Sequence, residues 1–165
     1  MSDVRLESRL DAPPALALAA LGDILRDIAA QRGGWEGFAL HVGLGEAGLP
    51  DVGYIAIPIA LEVDAPKPGI DQFAIRFRAA RHPESFPVFE GHFGIDPTGP
   101  SSSTFWVAGT YEVPLAGAGR FVDATLLRGV AHKALANLLD DVASAARAAI
   151  DKREAEYARY RMFGH

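Results

Sequence analysis

Residues 123–149 read DATLLRGVAHKALANLLDDVASAARAA, and the architecture turns on this stretch. Leu127, Ala131, Ala134, Leu138, Val142, Ala145 and Ala149 recur at helical spacing and make one apolar stripe. Alanine and leucine dominate, so intrinsic propensity and pattern agree on a helix. If helical as far as Phe163, the segment is about 60 Å long at 1.5 Å per residue, whereas a ten-residue strand spans only about 33 Å. The excess, 151–165, is charged and carries Tyr157, Tyr160, Met162 and Phe163, so this tail is expected to bend, fray or pack on something else.

The chain before the helix reads mostly as strands. Phe38, Leu40, Val42 and Leu44 alternate with other residues; so do Ile55, Ile57, Ile59, Leu61 and Val63, then Phe73, Ile75, Phe77 and Ala79. Phe89, Gly91, Phe93 and Ile95 continue the pattern, 97–103 reads as a turn, and Phe105, Val107, Gly109, Tyr111 and Val113 form the last strand. Period-2 alternation with short connections predicts an antiparallel meander with one apolar face. A further strand precedes it, with Val4, Leu6, Ser8 and Leu10 alternating against Arg5, Glu7 and Arg9. Asp11-Ala12-Pro13-Pro14 ends that strand, with Asp11 as a helix cap and proline in the first turn, and opens a helical stretch on Leu18, Leu21, Leu25 and Ile28, which Gly22-Asp23 could split and Gly33-Gly34 closes. The class is therefore α+β: a curved antiparallel sheet whose apolar face is covered by the long C-terminal helix.

The chain has 165 residues, 49% apolar and 22% charged, with a formal net charge of −5, and reads as a single domain over 1–165. With no cysteine, disulfides, thiolate zinc sites and cysteine nucleophiles are excluded. The acidic balance gives no electrostatic case for nucleic acid or an anionic membrane surface. The most apolar helical run, 14–28, is broken by Asp23, Arg26 and Asp27, too short and too charged for stable membrane insertion. No targeting segment is visible, so the cytoplasm is the expected compartment.

Four short motifs carry a family resemblance: Leu10-Asp11-Ala12-Pro13; Phe86-Pro87-Val88-Phe89-Glu90-Gly91; Gly109-Thr110-Tyr111-Glu112-Val113-Pro114; and Gly119 with Asp123-Ala124-Thr125-Leu126-Leu127. With the order of elements over nearly the whole chain, they resemble a bacterial branch of the SRPBCC superfamily, the helix-grip proteins that include START domains and polyketide cyclases. The resemblance implies a sheet, commonly of seven strands, wrapped around the C-terminal helix; six are counted here, so six or seven are expected. It also implies a hydrophobic cavity for a lipid, polyketide or aromatic metabolite, and no fixed catalytic set.

Residue chemistry adds little to that. Glu90 and His92 share one strand face and suit an acid–base pair or two metal ligands, but Arg76 and Arg78 have the same outward parity. A cross-strand charge ladder is the simpler reading, and no third ligand is visible. His132 lies at the margin of the helical stripe, either orienting a ligand or simply wetted. Tyr111 has inward parity, and its hydroxyl meets either a ligand carbonyl or a backbone group. Phe77, Phe93 and Phe105 are core, or pocket walls if a void exists, while Trp106 has the opposite parity and lies on the outer sheet face or under a loop. Ser101-Ser102-Ser103 has turn composition, and no nucleophile elbow exists. The glycine stretch 43–48 lacks a lysine and a following helix, so it is not a phosphate loop.

The expected ligand contacts are Ile57, Phe77, Phe93, Phe105, Tyr111, Ala131, His132, Ala134 and Leu138, with no cofactor or metal. The expected function is binding of a small hydrophobic ligand between sheet and helix. A cyclase-, dehydratase- or hydrolase-like enzyme using the same cavity is the alternative. A third reading is a non-catalytic interaction module, in which the tail offers a homodimer surface.

Overall fold

A computed structural model of the chain describes residues 2–30, 39–43, 54–64, 71–80, 88–112 and 124–163. The elements run β1 (Ser2–Leu10), α1 (Pro14–Ala30), β2 (Ala39–Gly43), β3 (Tyr54–Val63), β4 (Gln72–Ala79), β5 (Val88–Gly99), β6 (Ser102–Glu112) and α2 (Ala124–Phe163). The six strands form one sheet in the order β1-β6-β5-β4-β3-β2, and every neighbouring pair is antiparallel. Strands β2 to β6 are a meander, and β1 closes onto β6. A seventh strand is absent from the described residues.

The alternation works as read. In β1, Asp3, Arg5, Glu7 and Arg9 are exposed while Leu10 is buried; in β4, Phe73, Ile75, Phe77 and Ala79 are buried and Arg76 and Arg78 exposed. α2 packs against β1 and also against β2, the two edges of the sheet. One helix can reach both edges of a six-strand sheet only if the sheet curves around it. α1 fills part of the same concavity, touching β3, β5, β6 and α2. The result is an α+β helix-grip fold.

Three local expectations need correction. The expected turn over 97–103 is narrower, because β5 runs to Gly99 and β6 starts at Ser102, with a register shift at Pro97/Gly99. Proline is tolerated there because β4 ends opposite Gly94, leaving that part of β5 with one neighbour. α1 is continuous through Gly22-Asp23, since a glycine costs a helix only about 1 kcal/mol and the buried Leu21 and Leu25 offset it. Asp11 is drawn to Arg9 Nε at 3.2 Å instead of capping the helix.

The buried face of α2 is also rotated from the expected stripe. Ala134, Leu138 and Val142 are buried, but Ala145 is exposed and Ala131 and Ala149 are only half-buried. Leu135, Leu139, Ala143, Ala146 and Ile150 complete the core instead. Burying a leucine or isoleucine gains more than burying an alanine, so the larger side chains set the rotation. The tail does not stop short: α2 continues to Phe163, and Tyr157, Tyr160 and Met162 are exposed. The expectations at Gly33-Gly34, 44–48, Phe86-Pro87, Val113-Pro114 and Gly119 fall outside the described residues.

Candidate functional site

The inner face of the sheet is built of cross-strand rows. One row is Leu61, Phe77, Phe89 and Tyr111 across β3 to β6. The next is Val63, Ile75, Gly91, Gly109 and Val4, followed by Phe73, Phe93, Val107 and Leu6. Ile95, Phe105 and Ser8 come last before the Ser103–Leu10 end. These rows decide which of the expected contacts can share a ligand. Phe77 and Tyr111 share a row; Phe93 is two rows on, and Phe105 is six residues from Tyr111, about 20 Å along an extended strand. Phe77, Phe93, Phe105 and Tyr111 are all buried, as are Ala134 and Leu138 on α2. Ala131 is half-buried and His132 exposed. Ile57 pairs with Leu40 between β3 and β2, and its side chain lies outside the described residues.

The glycine row shows what small inward residues do here. Gly91 and Gly109 face each other, and a Cβ on Gly91 would come within 2.2 Å of the Ala108 carbonyl oxygen and 2.7 Å of Phe89 Cζ. On Gly109 it would lie 2.3 Å from the Glu90 carbonyl oxygen and 2.8 Å from Phe89 Cζ. The tip of the Phe89 ring therefore sits over both glycines, and Phe77 stacks on that ring with centroids 4.9 Å apart and planes 18° off parallel. At this row the glycines admit an aromatic ring rather than a void.

Apart from the Tyr111 hydroxyl and the Trp106 indole, the only buried polar side chain among the described residues is Ser103, whose hydroxyl donates to the Ala12 carbonyl at 2.8 Å. That bond ties β6 to the junction between β1 and α1, and it is structural.

The outer face carries the charge ladder. Arg76 Nε lies 3.0 Å from Glu90 Oε1, and Arg78 Nη2 lies 3.5 Å from Glu62 Oε1. A cleft of about 480 Å³ opens on this face over Ala74, between Glu62, Asp64, Arg76, Glu90, His92 and Thr110. Glu90 is engaged by Arg76 there, and among the described residues no three His, Asp or Glu side chains are grouped to hold a metal ion.

Further along the face, Trp106 is buried although it points outward. Its indole covers Gly94, its Nε1 donates to Asp96 Oδ1 at 3.0 Å, and the Arg5 guanidinium sits 4.7 Å from the ring centroid. Arg5 also donates to Glu7 Oε1 at 2.8 Å and Asp96 Oδ2 at 3.0 Å. Glu7 first, then Asp96, raises the Arg5 pKa. Sequence parity places Trp106 on this face, but its burial depends on the bare backbone at Gly94, visible only once the strands are in register.

No protein-family model matches the chain, and no curated protein matches it in sequence. Solved structures do resemble it. A crystal structure from Thermus thermophilus is 16% identical with a TM-score of 0.50, covering 90% of this chain and 99% of that one. A START superfamily protein from Mycobacterium smegmatis is 18% identical with a TM-score of 0.46, covering 91% and 97%. The Zhui aromatase/cyclase from a Streptomyces species is 14% identical with a TM-score of 0.46, covering 92% and 94%. At these identities the likeness is one of fold. No helix among the described residues is long and apolar enough to cross a membrane.

Proposed function

We propose that the protein binds a small apolar ligand (a lipid, polyketide or aromatic metabolite) between the curved sheet and α2, with the cytoplasm as its compartment. The observation that carries this reading is the row Leu61–Phe77–Phe89–Tyr111. Three of its four side chains are aromatic, and it lies at one end of the sheet and includes one hydroxyl that can direct a bound molecule. The placement of α2 supports it. Arg147 donates to the Arg9 carbonyl at 2.7 Å and so fixes α2 near the opposite end of β1. Ala134 is thirteen residues back, about 20 Å, close to the strand length from Thr104 to Tyr111. The Ala134–Leu138 turn of α2 then lies toward the Tyr111 row. Phe105 and Phe93 serve as core in this reading, and His132 stands at the rim.

The enzyme reading ranks second because Tyr111 is the only ionisable side chain on the described inner face. Acid–base chemistry ordinarily needs a positioned proton acceptor as well. Extraction and mass spectrometry of the natively purified protein, with titrations of palmitate and an anthraquinone, test the proposal. A bound apolar molecule is expected, and Tyr111→Phe is expected to weaken binding roughly fivefold, the worth of one hydrogen bond. No binder in either class would contradict it. Self-association through the tail uses other residues and is independent of the ligand.

A further inference from the structure

The seam that seats α2 in the body does not stop where the body stops. Leu139, Ala143, Ala146 and Ile150 are buried at alternating spacings of four and three, and Arg153, Tyr157 and Tyr160 continue the same spacing. This is the 3.5-residue repeat of a helix that packs lengthwise against another helix. Within the body the partners are α1 and the sheet, and Arg153 meets Asp23 of α1. Beyond it, Tyr157 is 71% and Tyr160 81% exposed.

The charges flanking this seam fit a second copy of the chain. If Ile150 and Tyr157 are taken as the first seam position and Arg153 and Tyr160 as the fourth, Glu154 and Arg161 occupy the same fifth position, one heptad apart. Fifth positions face one another when two helices run antiparallel, so Glu154 of each copy meets the partner's Arg161, and Arg161 meets the partner's Glu154. We propose that the protein self-associates through an antiparallel pairing of residues 154–163, with Tyr157 and Tyr160 in the shared seam. The pairing places the two bodies at opposite ends of a two-helix bridge. Ten residues of helix extend about 15 Å and bury less than the roughly 800 Å² per partner of a standard interface. The association is therefore weak and concentration-dependent.

Sedimentation velocity of the full chain over a concentration series is the test. The wild type is expected to pass from monomer to dimer as concentration rises. Glu154→Arg and Arg161→Glu are each expected to raise the dissociation constant about tenfold, because two symmetry-related pairs turn repulsive in each variant. The double exchange Glu154→Arg/Arg161→Glu restores opposite pairing and is expected to return it to near the wild-type value. These positions are exposed, so the body's fold is unaffected, and the rescue separates lost charge pairing from lost helix. A monomer at every concentration would overturn the proposal. So would failure of the double exchange to rescue, or rescue by Glu156→Arg/Arg161→Glu instead, the combination that serves a parallel pair.

Discussion

Gly91 and Gly129 are both glycines inside regular elements, and they are expected to respond in opposite ways to alanine. At Gly91 the added methyl meets a backbone oxygen that cannot move without breaking the β5–β6 ladder, and the same holds at Gly109. Gly91→Ala or Gly109→Ala is expected to lose roughly 1–3 kcal/mol of stability, read from the denaturant midpoint. Gly129 is exposed on α2 with nothing within 4 Å of the new methyl. Gly129→Ala is expected to gain about 0.8 kcal/mol from helix propensity alone. At Gly94 the added methyl would lie 2.1 Å from Trp106 Cζ2. Gly94→Ala is therefore expected to lift the indole off the sheet and shift tryptophan emission to longer wavelength; unchanged emission would contradict the packing of Trp106 over bare backbone.

At the scale of elements, the joints are few and specific. Ser103 pins β6 to the start of α1, and Ser103→Ala leaves the Ala12 carbonyl without its buried donor. The expected loss is about 1–2 kcal/mol in thermal or denaturant unfolding. Asp23 joins α1 to Arg153 of α2 and also accepts from Arg26 at 2.8 Å. Both arginines are substantially exposed, so Asp23→Ala is expected to cost under about 1 kcal/mol. The strands were legible because the period-2 pattern states directly which side chains face the core, as at Phe73, Ile75 and Phe77. The rotation of α2 was less so. Alanines lie on nearly every face of that helix, and only the larger Leu135, Leu139 and Ile150 carry the information that orients it. The extension of β5 through Pro97 was hidden because it depends on where β4 ends, a fact of register rather than of local sequence.

For the whole molecule, curvature is the property from which the functional reading follows. A sheet whose two edges both reach α2 encloses a space, and the side chains facing that space decide whether it holds a ligand. The inward parity of Phe77 and Tyr111 could be read from the sequence, and so could that of Phe93 and Phe105. Their division between separate rows could not, because it depends on strand register. This places the Tyr111 end, and not the whole inner face, at the centre of the proposal. The outer face offers a competing location in the cleft between Glu62 and His92, which mixes charged side chains with Ala74, Ile75 and bare glycine backbone and holds no Phe, Tyr or Trp. Methyl and aromatic chemical-shift mapping of the full chain during titration with palmitate and with an anthraquinone separates the two locations. Saturable shifts are expected at Ala134, Leu138, Phe77 and Tyr111; no saturable shifts, or shifts confined to Ala74, His92 and Thr110, would overturn a ligand site under α2.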